Sequence, residues 1–273
     1  MRKMASVKQI IRDIKEQKVA ATGRRVLLVE GTDDVTAFQN FLSRKFPAWE
    51  QGWILAPAGS KKNVLEALTF EANWLGVVDR DAWTDEQIAE KRRNQTNLLV
   101  LPRFCIESYL IVPEELWRGF QPKHQQAING GVQTFTQSVH DILPQWRNHA
   151  ALWGVIHPLW EQLRAAGFNT AFHELTTAQD DAEVERYLRQ WSQYLDPDAL
   201  LSRIQTQKAD IAARSPTTQL TQCFHGKMFF EQAIDPLLTQ LLGQRAREQR
   251  QKDLFRTLPV PDDLTFIWTE MGL

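Results

Sequence analysis

The chain holds only two cysteines, Cys105 and Cys223. They form no CxxC pair and no disulfide framework, which excludes a small secreted disulfide scaffold and fits a reducing cytosol. No stretch approaches the roughly 18 apolar residues of a membrane span, so no association with a membrane is expected. The N-terminus is basic but lacks the apolar region of a signal peptide, and a cytoplasmic location is expected. Six histidines occur without metal-ligand spacing, which argues against a zinc site. There is almost no net charge (−1), so the overall balance says nothing for or against nucleic acid. Internal repeats and low-complexity tracts are absent.

What is present is an ordinary globular composition, 43% hydrophobic and 24% charged over 273 residues. Ten tryptophans are expected chiefly in the core of a helical half. Two short runs stand out. Val26-Leu27-Leu28-Val29 ends in Glu30-Gly31-Thr32-Asp33-Asp34, and Trp74-Leu75-Gly76-Val77-Val78 ends in Asp79-Arg80-Asp81. Apolar runs that stop abruptly at carboxylates read as strands buried on both faces of a parallel sheet. Gly31 suits a tight turn there, and Asp33 or Asp34 can start the next helix, with Asp33 the more dispensable.

Around these runs the chain alternates. A basic amphipathic helix over 1–22 carries Lys8, Arg12, Lys15 and Lys18 opposite Val7, Ile10, Ile11 and Ile14, a face read first as solvated. Strands are expected at 26–29, 53–58, 74–79 and 97–102. Between them lie helices after Glu30, from Gly59-Ser60-Lys61-Lys62, and near 86–93, and a short helix over 104–112 carries Glu107. This predicts an α/β fold, a parallel sheet flanked by helices over 24–112, followed by a mostly helical region over 113–273. Residues 121–134 look like a loop. A buried helix is expected over 228–242, and after it comes a basic tract with Arg245, Arg247, Arg250, Lys252 and Arg256.

Ligands of open parallel sheets sit beyond the carboxyl ends of the strands. If the first and third strands are neighbours, Glu30, Asp79 and Asp81 converge, with Asp34 a helical turn beyond Glu30 and Glu107 closing the far side. Hard oxygen donors of this kind suit Mg²⁺ or Mn²⁺, and two ions about 4 Å apart serve phosphodiester displacement. Like charges left unneutralised would raise one another's pKa. Each acid alone also reads as a cap or a loop residue, and Glu107 as a partner for Arg103. Lys61 and Lys62, at a glycine–serine helix start, are candidate substrate-binding residues or plain surface residues. A receiver domain is disfavoured because no Lys-Pro follows a fifth strand. A haloacid-dehalogenase-type phosphatase is disfavoured because its Asp-x-Asp follows the first strand, not the third.

The Glu-Gly-x-x-acid element, with Asp79-Arg80-Asp81, Gly59-Ser60-Lys61-Lys62-Asn63-Val64, Arg103-Phe104-Cys105-Ile106-Glu107-Ser108-Tyr109-Leu110 and His225-Gly226-Lys227, resembles the TOPRIM nucleases. It is most similar to standalone TOPRIM nucleases partnered with ABC-type ATPases, the AriB-type effectors of the PARIS anti-phage systems. The resemblance covers 24–112 well and little afterwards. It implies a Mg²⁺-dependent endonuclease in which Glu30, Asp34, Asp79, Asp81 and Glu107 bind metal and Lys227 meets the scissile phosphate. It further implies an ABC-type ATPase partner that holds the nuclease inactive, and cleavage of host tRNA, so that RNA is favoured over DNA. A homodimer surface is expected from the apolar helical half. A TOPRIM-shaped interaction subunit with little turnover is the competing reading.

Overall fold

The computed structural model describes residues 6–19, 22–169, 172, 177 and 179–273. Four strands, β1 (Arg25–Val29), β2 (Trp53–Pro57), β3 (Leu75–Val78) and β4 (Leu98–Val100), form one all-parallel sheet in the order β2-β1-β3-β4. β1 is central, and Val26, Leu27, Leu28 and Val29 have no exposure at all. That is what a continuous apolar run demands in a strand covered on both faces.

α1 (Val7–Ile14) and α3 (Lys61–Phe70) cover one face of the sheet, where Ile11, Val64 and Leu68 join Val26, Leu28, Val78 and Leu98 in one core. Gly76 lets α3 descend onto β3, since a Cβ there would stand 2.6 Å from Leu68 and 2.7 Å from Val64. α2 (Thr32–Lys45) carries Phe38 and Phe41 into a second core with the end of the chain. Phe41 meets Phe255 edge-on at 6.0 Å, Phe38 meets Trp268 at 5.9 Å, and the Trp53 indole N–H donates to the Met271 carbonyl. α4 (Asp85–Asn94) follows β3 behind a Thr84–Gln87 capping box.

The chain divides into two compact units, 1–141 with 220–273, and 142–219. The expected single helical region after 112 therefore splits, and its two ends belong with the sheet. The first unit continues through α5 (Pro113–Gly119), α6 (Pro122–Ala127) and α7 (Gly131–His140), so 121–134 is largely helical and not the expected loop. Proline at each of the first two helix starts supplies the signal that polarity hid.

The second unit consists of α8 (Leu143–Ala165), α9 (Asp181–Ser192) and α10 (Pro197–Ala213), with α8 against α10 and Leu159, Leu163 and Trp191 in its small core. Buried tryptophans divide evenly, with Trp49, Trp53 and Trp74 before residue 113 and Trp146, Trp191 and Trp268 after it, while Trp160 is exposed, so they do not concentrate in the helical half as expected.

The first unit resumes with α11 (Gly226–Phe229), a π-helical stretch over Phe230–Ile234, and α12 (Asp235–Leu242). It ends with α13 (Arg247–Thr257) and α14 (Thr265–Met271). No helix among the described residues is long and apolar enough to cross a membrane.

Candidate functional site

The strand order decides where the acids go. From β1 the chain leaves toward β2, and from β3 it leaves toward β4, in opposite directions along the sheet. The two connections part above the β1–β3 pair and leave a crevice at their carboxyl ends. Glu30 stands at one lip and Asp79 at the other. The Asp79 N–H donates to Glu30 Oε1 at 2.8 Å, and the Ile106 N–H donates to Asp79 Oδ1 at 3.1 Å. Two carboxylate-to-backbone bonds thus tie the tip of β1 to that of β3, and β3 to the 3₁₀ turn Ile106–Leu110 that carries Glu107.

Asp34 closes the entry to α2, where its Oδ2 accepts from the Gly31 N–H at 2.8 Å. The capping role therefore falls to Asp34, not to Asp33, which pairs with Lys227 at 3.5 Å. Gly31 is extended (φ −135°), so the tight turn expected there is not what it supplies. The left-handed glycine is Gly59 (φ +85°), whose N–H donates to the Glu30 carbonyl as the chain turns from β2 toward α3.

Burial dominates the electrostatics. It raises the Glu30 carboxyl against the opposing charge of Lys61. It pushes Asp34 up to about 7, with Glu107 and Glu30 adding repulsion. Asp79 is driven well above the carboxylate range by burial and then by Asp34, Glu30, Asp81 and Glu107, which places all five acids within electrostatic reach of one another. Glu107, only 5% exposed, is raised by the same desolvation.

Two cations stand at the rim. Lys61 Nζ pairs with Asp81 Oδ2 and donates to the Asp79 carbonyl at 2.7 Å, while lying 4.1 Å from the Trp83 ring centre. Asp81 meets it from a left-handed backbone (φ +50°), and its N–H donates to the Phe104 carbonyl at 2.8 Å. Lys227, half exposed, lies 3.9 Å from Glu107 and is held above its ordinary pKa by Glu107 and Asp33 despite partial burial.

Of the residues singled out from sequence, Glu30, Asp34, Asp79, Asp81, Glu107, Lys61 and Lys227 are brought together. Lys61, expected to face substrate, is turned inward onto Asp81. Lys62 is exposed and makes no ion pair among the described residues. The start of α3 is not a fully open anion seat either, because Ser60 Oγ already accepts from the Asn63 N–H at 3.2 Å. Arg103 does not take Glu107. It holds Glu115 through two bonds (2.7 and 2.9 Å) and Asp263 at 2.8 Å. Along the 245–256 tract, Arg245 and Arg256 both pair with Asp253, Arg247 with Glu231, and Arg250 with Asp235.

Sequence reasoning missed Gly226 as a packing residue. A Cβ there would stand 2.5 Å from Ser108 Oγ, 2.7 Å from Ser108 N and 2.8 Å from Cys105 Sγ. Only glycine lets the start of α11 press against the Glu107 turn and set Lys227 beside it. The glycine is visible in the sequence, but its partner over a hundred residues away is not.

No protein-family model matches this chain, and no curated protein matches it.

The donor set tests whether a divalent cation suits the crevice. Every candidate ligand is a carboxylate, and Glu30, Asp34 and Asp79 each commit an oxygen to a backbone N–H that fixes the group's direction. Acids buried together with two lysines at their edge have the composition of a hard-cation site. Among the described residues, no three of His, Cys, Asp or Glu already stand in a ligating arrangement. The Lys61–Asp81 pair accounts for part of this, since it draws one carboxylate toward an internal cation. The chemistry fits, and closure on an ion requires at least Asp81 to exchange partners.

Proposed function

We propose that this protein is a Mg²⁺- or Mn²⁺-dependent nuclease of the TOPRIM type that cleaves phosphodiester bonds in nucleic acid. The observation that carries the reading is the adjacency of β1 and β3, with Glu30 bonded across to Asp79 and Asp79 to the Glu107 turn. Glu30, Asp34, Asp79, Asp81 and Glu107 would hold one or two ions. A bound ion would supply positive charge to the phosphodiester and to an attacking water.

The chain's own residues do the rest. The backbone N–H groups of Gly31, Asp79 and Ile106 orient the carboxylates, and Lys227 at the exposed rim can meet the charge that grows on a phosphate. RNA as substrate (tRNA in particular), a place in anti-phage defence and an ABC-type ATPase partner belong to the same proposal and rest on the motif resemblance; a homodimer rests on the apolar helical half, and a cytoplasmic location on the sequence features given above. A protein contact through the second unit is supported by its exposed apolar side chains, among them Trp160 (56%) and Leu201 (55%).

The test is direct. Labelled RNA and DNA pools incubated with Mg²⁺ or Mn²⁺ should yield a product that a chelator abolishes. Glu30→Ala and Asp79→Ala should lose at least a hundredfold in rate while keeping the circular-dichroism spectrum. Normal cutting by either variant would show that the site lies elsewhere. One observation favours a second reading, an interaction subunit with little turnover: Lys61 already neutralises Asp81, so a crevice of this kind can exist without an ion. Silence of the isolated protein in every metal, with no metal binding by calorimetry, would decide for it.

A further inference from the structure

The 245–256 basic tract does not act as one surface. α13 sends Arg247 and Lys252 to line a cleft beside Asp33 and Lys227, where Glu231 and Glu248 leave no excess positive charge. Its other residues behave differently. Arg245 and Arg256 converge on the two oxygens of Asp253, one guanidinium on each. Beneath them Arg250, 6% exposed, is anchored by Asp235, Thr239 Oγ1 and the Gly243 carbonyl. Lys123 and His124 of α6 form the facing wall.

Between these walls lies a cavity of about 250 Å³ with Phe120, Leu238, Leu242 and Leu254 as its apolar lining. Four permanent cations meet two carboxylates here, which leaves two positive charges. Burial, and then the charges of Lys123, Arg245 and Arg250, hold the His124 imidazole below its ordinary pKa. Each guanidinium carries five donors and spends few of them on Asp253, so both can still fork onto a second anion. Gln121 and Gln244 add amides that both donate and accept at the edge of the apolar lining.

We infer that this cleft binds a nucleoside 5′-monophosphate, the phosphate between Arg245, Arg256 and Lys123 and the base against Phe120, Leu238 and Leu242. A dianionic phosphate matches the unbalanced charge, and a flat ring with hydrogen-bonding edges matches an apolar wall rimmed by amides. Such a group can come free or as the 5′ end of a strand. The inference does not depend on the acid crevice, because none of these residues belongs to it.

Calorimetric titration of the full chain with AMP, adenosine, inorganic phosphate and a 5′-phosphorylated pentanucleotide tests it. AMP should bind at least tenfold more tightly than adenosine or phosphate. Arg245→Gln with Arg256→Gln, both at exposed side chains and both keeping a donor for Asp253, should weaken AMP at least tenfold while the circular-dichroism spectrum is kept, and Glu30→Ala should leave AMP binding unchanged. Tighter binding of the pentanucleotide than of AMP assigns the cleft to strand ends, and equal binding assigns it to the free nucleotide. Phosphate binding as well as AMP means an adventitious anion only and overturns the inference. So does AMP binding that survives the double substitution, or no binding at all.

Discussion

A carboxylate buried among other carboxylates must take up a proton or a cation, and here the choice can be read from pH. In the unfolded chain these groups ionise near 4, whereas Asp34 in the folded protein does so at about 7, and Asp79 is raised as well. Between those limits the folded state binds more protons than the unfolded one. Its stability from this cluster is therefore complete below the lower limit and is lost as pH rises through the upper. The melting temperature of metal-free protein, measured relative to Asp34→Asn, should fall as pH rises from 4 to about 7. Added Mg²⁺ should recover the loss at pH 8 and do little at pH 5. A wild-type curve that rises relative to the variant over that window would contradict the assignment. At this scale the sequence was informative about residue types: the acids after two apolar runs were legible. That Lys61 turns inward onto Asp81 was not, because an ion pair between residues twenty apart depends on how β3 and α3 meet.

Among the elements, the contact that sets Lys227 beside Glu107 is made by backbone. The Phe104 N–H donates to the Thr221 carbonyl at 2.7 Å, and Gly226 presses on Ser108. Gly226→Ala would place a methyl against a backbone nitrogen and should cost about 1–3 kcal/mol of stability, the range for overpacking. Because the same shift moves Lys227 away from the Glu107 turn, cleavage measured well below the melting temperature should fall at least tenfold. Urea denaturation and single-turnover rates on the same preparation separate the two effects, and a variant with wild-type stability would show that the helix start can move aside. Strands and helices were largely legible because burial on two faces leaves long apolar runs. The helices within 121–134 escaped because short helices with few buried positions carry weak periodicity.

For the molecule as a whole, the sheet's second face is covered by residues that arrive last. Phe255, Trp268 and Met271 pack against α2 and β2, and Arg103 ties the Glu107 turn to Glu115 and Asp263. A chain ending at residue 219 leaves Phe38 without Trp268, Phe41 without Phe255 and Arg103 without one carboxylate. It should not melt cooperatively, as near-ultraviolet circular dichroism or amide NMR dispersion would show. A truncated chain with a sharp transition would mean that the first 141 residues hold the sheet unaided.

The amino-acid order by itself determined that four apolar runs become parallel strands and that carboxylates stand at the tips of two of them, because alternation of strand and helix and the position of charge are local properties. Only the tertiary structure decided that β1 lies beside β3, that Glu30 bonds across to Asp79, and that the last fifty residues close the unit that the first hundred begin. Those are contacts between segments distant along the chain, and distance along the chain carries no record of which faces will meet.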